Sequence, residues 1–251
     1  MSESSDLIQK IISTDSCYAE MFEGHGKAYT FLNPVSYLLA VKNKGLYSRF
    51  DGVFVDGKFL ALAICFFYWK RLKRRSFDMT SVAPELFRYS EIHEKSIYIV
   101  AGRQSEIERA VEIYQKYYPR LNVVGFRNGF FAGEDEIDRE IKKIIALSPG
   151  FVICGMGAIR QECFLDRLKT AGYQGISFTC GGFISQTSKA QIDYYPKIFN
   201  VLNLRFVYRM IKEKHTRKRY LLAIFTFPIV FVKEWFWGKI NKRQKNGKVK
   251  K

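Results

Sequence analysis

From residue 96 onward the chain alternates short apolar runs with amphipathic stretches in a regular way. Residues 96–100 form an apolar run that stops at Gly102, and Ser105-Glu106-Ile107-Glu108 reads as a capping box that opens a helix with Ile107, Ala110, Val111 and Tyr114 on one face. Residues 121–124 form a second run, stopping at Gly125, and Ile137, Ile141, Ile144 and Ile145 line the helix that follows. A third run, 151–154, meets Gly155 and leads into a helix through Ala171 carrying Phe164, Leu165 and Leu168. The fourth, 176–179, runs into Cys180-Gly181-Gly182.

Upstream the pattern is looser. Residues 27–32 read as a strand, and Asn33-Pro34 turns the chain into a helix over 35–41, Pro34 fitting the first turn where its missing N–H is harmless. Residues 49–57 are strand-like, with Asp51-Gly52 and Asp56-Gly57 as turn residues at either end. Residues 59–69 are apolar throughout, shorter than the roughly 18 needed to span a bilayer, and are expected to be a buried core helix. A basic cluster, 70–75, follows.

Strands alternating with amphipathic helices predict parallel pairing and right-handed crossovers, hence an α/β, Rossmann-like parallel sheet flanked by helices. In such sheets ligands bind beyond the carboxyl ends of the strands, and the glycines Gly102, Gly125, Gly155 and Gly181 are expected along that edge. The stretch Gly155-Met156-Gly157-Ala158-Ile159-Arg160-Gln161-Glu162 is laid out for phosphate: glycines admit an anion to the backbone, the helix start offers free N–H groups, and Arg160 adds a cation. It is not a dinucleotide fingerprint. The third glycine of Gly-x-Gly-x-x-Gly is Arg160, and no acid lies about 20 residues after Gly155, which disfavours NAD.

Charge divides the chain. The net charge is +17, and residues 205–251 hold fifteen Lys and Arg against two acids, thirteen of the seventeen excess charges. We therefore expect a core over 1–204 and a basic, partly apolar C-terminal appendage over 205–251. Within it, residues 220–232 are mostly apolar, Lys233-Glu234-Trp235-Phe236-Trp237 follows, and seven of the last thirteen residues are basic. Trp beside Lys and Arg is the pattern of the headgroup region, so an anionic membrane surface is the expected partner and attachment is expected to be peripheral. A nucleic-acid-binding module would also explain the charge but not the adjoining apolar run; another nucleotide-dependent α/β enzyme is the second alternative. Five cysteines without CxxC spacing and a polar start to the chain read as cytosolic, without a disulfide framework. There is no Asp-x-Asp, and the three His are scattered, so neither a metal nor a cofactor is expected.

The block Gly155-x-Gly157-x-x-Arg160-Gln161-Glu162 after a buried strand resembles the Gly-x-Gly-x-Pro-Lys-Gln-Glu block of the WecG/TagA/CpsF glycosyltransferases, which make bacterial surface polysaccharides. Asn33 before a helix, Asp51-Gly52, Arg74-Arg75-Ser76-Phe77-Asp78, Gly125 with Gly129-Phe130-Phe131, Gly181-Gly182-Phe183, and Arg205 through Tyr220 resemble further blocks in the same order. The departures are local: Ile159-Arg160 stands for Pro-Lys, Phe31 for a Thr that is adjacent here as Thr30, and Ser185-Gln186 where an Asp usually follows the Gly-Gly-x-Phe block.

The resemblance implies an inverting, metal-independent transfer of a sugar from a UDP-sugar to a polyprenyl-pyrophosphate-linked sugar, on the cytoplasmic face of the bacterial inner membrane, by a homo-oligomer. It implies Asp51 as the base that takes the acceptor proton; read from the residues alone, Asp51 is also an ordinary turn-forming Asp before Gly. It implies Arg209 and Arg219 as catalytic cations from an appendage that folds over the site, with Arg217 beside them among the substrate contacts. The remaining contacts to substrate are expected from Asn33, Arg74, Arg75, Gly129, Gly155, Gly157, Arg160, Gln161, Glu162, Gly181 and Gly182. A core cut after residue 204 is expected to fold but to be nearly inactive.

Overall fold

The computed structural model describes residues 7–190, 205–212 and 214–248. Six strands form one all-parallel sheet in the order β2-β1-β6-β5-β3-β4. In chain order the elements are α1 (Leu7–Thr14), β1 (Ala28–Leu32), α2 (Pro34–Lys42), α3 (Lys44–Ser48), β2 (Gly52–Val55), α4 (Lys58–Tyr68), α5 (Val82–Ile92), β3 (Ile97–Ala101), α6 (Gln104–Tyr117), β4 (Val123–Arg127), α7 (Glu134–Leu147), β5 (Phe151–Gly155), α8 (Arg160–Thr170), β6 (Ile176–Thr179), α9 (Phe183–Ala190), α10 (Arg205–Lys212) and α11 (Lys214–Lys248).

Burial on both faces explains why the strands read as unbroken apolar runs. One face presents Leu32, Val53, Val55, Tyr98, Val100, Val152 and Cys154 to α1, α2, α3, α4, α7, α8 and α11. The other presents an aromatic layer, Tyr29, Phe31, Phe54, Phe151 and Phe178, to α5, α6 and α9. Register is set by the pleat: Val100 pairs with Cys154 and Cys154 with Thr179, which leaves the carboxyl ends of β3, β5 and β6 level.

Local signals account for most helix starts. Asn33 caps α2, its Oδ1 accepting from Val35 N–H (2.9 Å) and Ser36 N–H (3.1 Å), with Pro34 at the first position. Glu134, Asp135 and Glu136 occupy the first turn of α7, where the helix dipole favours acids. At α6 the helix begins two residues earlier than expected. Glu106 does reach back as in a capping box, accepting from Arg103 N–H at 2.9 Å, but the cap residue is Arg103 and Ser105 lies inside the first turn.

Three expectations are corrected. Gly125 lies inside β4, not at its end; it is glycine because a Cβ there would come within 2.4 Å of the Tyr98 ring. Residues 44–48, unread in the sequence, form α3, and the strand after them is confined to 52–55. The helix over 58–68 is not a buried core helix: Leu60 and Ile64 are buried, while Phe59, Leu62, Phe66 and Trp69 are exposed. An apolar run has no polar face to betray which side turns outward.

The appendage docks on the core. Phe227 and Phe231 of α11 are buried in the same cluster as the sheet and pack on Tyr37 of α2, and Ala223 is buried too. Phe67 of α4 packs on Phe231 and Trp235, and the Trp235 indole N–H donates to the Phe67 carbonyl at 3.1 Å. Residues 216–240 are long and apolar enough to cross a membrane by length and composition, yet one side of that helix lies lengthwise against the domain. The boundary expected at residue 204 lies outside the described residues.

Candidate active site

The sheet has a topological switch between β3 and β5. The crossover from β3 through α6 leads outward to β4, and that from β5 through α8 leads the opposite way to β6, so α6 and α8 cover opposite faces. The chain leaves the carboxyl ends of these two strands toward opposite faces, which is where doubly wound sheets form a ligand crevice. Three glycine turns are knitted together at its floor. Gly102 N–H donates to the Gly155 carbonyl (3.3 Å), Gly129 N–H to the Gly102 carbonyl (2.9 Å), and Cys180 N–H to the Cys154 carbonyl (2.7 Å). A Cβ on Gly155 would lie 2.7 Å from the Gly181 carbonyl oxygen and 2.6 Å from Cys180 Sγ, so a side chain at 155 would force the ends of β5 and β6 apart.

Above this floor, Gly157 is exposed at φ 83 with open space around it, and Arg160, the first residue of α8, is exposed beside it. Ile159 sits at φ 74, a strained value for a β-branched residue and one that no proline ring can take. The turn therefore differs in backbone from the Pro-Lys form it resembles.

Gln161 and Glu162 have a different place from the one expected. Both are buried, Glu162 has no exposed surface, and its carboxylate is turned into the protein. It accepts from Thr30 Oγ1 (2.9 Å), Gln161 Nε2 (3.0 Å) and Ile159 N–H (2.6 Å), while Thr179 Oγ1 lies 2.9 Å from Thr30 Oγ1. Gln161 Oε1 accepts from Gly181 N–H at 3.1 Å. The pair thus bolts the start of α8 to β1 and to the glycine turn after β6. Burial, outweighing the three donors, pushes the Glu162 carboxyl above its ordinary range. Gly129 is likewise buried, with Met156 Cγ 3.0 Å from where its Cβ would be; it serves packing of the floor.

At the other end of the same edge, β1 and β2 deliver Asn33 and Asp56-Gly57. Asp56 N–H donates to the Leu32 carbonyl (2.8 Å), and Gly57, at φ 109, lies against Asn33 and Pro34. Arg74 pairs with Asp56 (3.2 Å) and Asp78 (2.9 Å). Arg75 N–H donates to the Val55 carbonyl, its guanidinium stacks on Tyr18 at 3.3 Å from the ring centroid, and its buried Nε has no hydrogen-bond partner among the described residues. From the appendage, an Arg209 terminal nitrogen lies 3.4 Å from where a Cβ on Gly182 would stand.

Asp51 is not at this edge. It precedes β2, at the amino ends of the strands, where its Oδ2 accepts from Ala28 N–H (2.8 Å) and pairs with Lys169 (2.6 Å) in the last turn of α8. Five residues of extended chain, about 16 Å, separate it from Asp56. Asp51 thus ties the start of β1 to the end of α8, on the far side of the sheet from the Gly155 turn. Arg217 is also used elsewhere: its Nε and Nη2 donate to the carbonyls of Met210 (2.6 Å) and Ile211 (3.0 Å), capping α10 and fixing the corner that carries Arg209. Arg219 is exposed on the first turns of α11.

Two acids at the crevice were not singled out from the sequence. Asp56 was visible as the second Asp-Gly, and its position after the strand, not before it, was the signal. Glu106 accepts from Ser185 Oγ (2.8 Å) and lies 3.9 Å from Lys189, beside Gly102. It brings a carboxylate next to the Gly181–Ser185 turn where Ser185 and Gln186 stand in place of an acid.

A glycine-floored crevice with arginines above it and a carboxylate at one end is suited to transferring a group off a nucleoside diphosphate, and the enzyme is a glycosyltransferase. The chain belongs to the glycosyl transferase WecG/TagA/CpsF family, whose profile matches residues 11–241. Among its relatives is the UDP-Gal:alpha-D-GlcNAc-diphosphoundecaprenol beta-1,4-galactosyltransferase of Shigella boydii, 33% identical over 205 residues that cover 82% of this chain and 85% of the relative.

Proposed function

We propose that this enzyme transfers galactose from UDP-galactose to a hydroxyl of an N-acetylglucosamine carried on a polyprenyl diphosphate, with inversion, in the synthesis of a bacterial surface polysaccharide. The reading of the site is carried by one observation: Asp56, oriented by Arg74, follows the carboxyl end of β2, with only β1 between it and the strand that ends at the Gly181-Gly182 turn, which Arg209 approaches. The sugar and acceptor are taken from the relative.

In this mechanism the acceptor oxygen attacks the anomeric carbon of galactose and passes its proton to the Asp56 carboxylate. The bond from that carbon to the diphosphate breaks on the opposite side, and its electron pair leaves with UDP. A single displacement turns the α-linked donor into a β-linked product. The charge gained by the departing diphosphate meets Arg209, Arg160 and the positive end of the α8 dipole. Glu106 is suited to accept from the ribose hydroxyls, as acids near glycine turns do in related sheets. The basic, apolar α11 holds the enzyme on the cytoplasmic leaflet, where its acceptor resides.

The test offers the purified enzyme a panel of UDP-hexoses and UDP-N-acetylhexosamines with a polyprenyl-diphosphate N-acetylglucosamine acceptor, and reads the product's sugar and anomeric configuration by NMR. A β-linked galactosyl product is expected. An α-linked product would remove the single-displacement mechanism, and transfer only from another donor would remove galactose.

A further inference from the structure

The notable surface outside the crevice is made by α4. Its Phe59, Leu62 and Phe66 are spaced so that they line one stripe of the helix, Trp69 follows at the helix end, and all four are exposed, Phe66 being 74% and Trp69 89%. Four such side chains together form a patch larger than scattered surface apolars leave. Trp69 also occupies the left-handed region, φ 56, uncommon for a bulky residue, and its ring buries almost nothing in the protein.

What lies beside the stripe indicates what covers it. The inner sides of α4 and α11 enter the same core, and Phe67 and Tyr68 of α4 pack on Phe231 and Trp235 of α11. α11 likewise carries exposed apolar residues, Phe225, Ile229, Phe236 and Trp237. Cations frame both sets: Lys58 at the start of α4, Lys70, Arg71 and Lys73 after its end, and Lys233 and Lys239 on α11. The acid within this stretch of α11, Glu234, is paired with Lys44. Buried cores of protein interfaces are poor in Lys, whereas an aromatic stripe rimmed with Lys and Arg matches an anionic lipid surface.

We propose that α4 and α11 together form one membrane-contacting platform, with the α4 stripe inserted among the headgroups of an anionic leaflet. Because α4 starts directly after Asp56-Gly57, the platform brings that end of the crevice to the lipid surface, where a diphosphate on a polyprenyl chain is presented. The inference rests on the membrane reading of α11 and adds a second, independent element to it.

The full chain contains three tryptophans, Trp69, Trp235 and Trp237, which allows each element to be read separately. A variant keeping only Trp69 (Trp235→Phe, Trp237→Phe) and one keeping only Trp237 (Trp69→Phe, Trp235→Phe) are mixed with phosphatidylglycerol–phosphatidylethanolamine vesicles carrying brominated acyl chains. Quenching of both reporters is expected. In the otherwise unaltered chain, Phe66→Ser with Trp69→Ser should weaken vesicle binding at least tenfold, about 1.4 kcal/mol, with UDP affinity unchanged. Quenching of Trp237 alone would overturn the role of α4 and leave α11 as the anchor. Absence of vesicle binding by the full chain would overturn both membrane assignments without touching the chemistry proposed for the crevice. Trp69 shielded without vesicles, in a chain that sediments as a dimer, would assign the stripe to a second copy instead.

Discussion

Two aspartates, each followed by glycine, stand at opposite ends of β2, and exchanging each for asparagine separates the chemistry from the scaffold. Asp56→Asn removes a proton acceptor but keeps a side-chain oxygen for Arg74. A positioned general base contributes typically 10²- to 10⁴-fold, so kcat should fall by that factor, about 2.7–5.5 kcal/mol in the barrier, with UDP binding by calorimetry within about twofold. Asp51→Asn keeps an acceptor for Ala28 N–H and loses the charge facing Lys169, a partly exposed pair. Such pairs are worth about 0.2–1 kcal/mol, so the variant should melt slightly lower and turn over at the parent rate. The assay is transfer of radiolabelled galactose to the lipid-linked acceptor under saturating donor, alongside thermal unfolding. An inactive Asp51→Asn beside an active Asp56→Asn would refute the argument, because no substrate pair at the glycine turns reaches the amino edge of the sheet.

Arg209→Ala removes a cation from beside Gly182; a charge-assisted hydrogen bond of about 1.5–3 kcal/mol corresponds to a loss of roughly 10- to 100-fold in kcat/KM with an unchanged melting temperature, and undiminished kcat/KM would exclude Arg209 from the site. Cutting the chain after residue 204 should not leave the soundly folded core first expected, because Phe227 and Phe231 are buried against it and their loss amounts to about 3–6 kcal/mol out of a typical 5–15; a truncated chain melting within a few degrees of the parent would contradict this. Glu162 has its pKa raised by burial above an ordinary 4.5, so the stability linked to it is fully present below about pH 4.5 and is lost as pH rises through the higher folded-state value. Glu162→Gln, whatever its absolute stability, should flatten that decline in urea titrations between pH 4 and 8, and an identical slope in both proteins would show that Glu162 does not ionise reluctantly.

The α/β alternation was legible because its signals are local. Periodicity reports which face of a helix is buried, and glycines after apolar runs report where strands stop, except at Gly125, which is glycine because of the Tyr98 ring of the neighbouring strand. Gln161 and Glu162 were readable as belonging to the block but not as internal ties: whether a polar side chain meets a ligand or a neighbouring strand depends on Thr30, 132 residues away in the chain. The same holds for the two Asp-Gly pairs. Either could follow or precede a strand until the strand's limits, 52–55, were fixed by pairing with β1.

By itself, the sequence determined a parallel sheet with helices on both sides, glycines at the carboxyl ends of several strands and a basic, apolar tail. Only the tertiary structure decided that Asp56 and not Asp51 lies at those ends, that Arg217 caps a helix while Arg209 reaches Gly182, and that α4 turns its aromatic residues outward. The physical reason is common to all three. Hydrophobic patterning fixes which residues leave water, but the direction in which a strand enters the sheet, and the neighbour against which an all-apolar helix rests, are set by contacts between segments far apart in the chain.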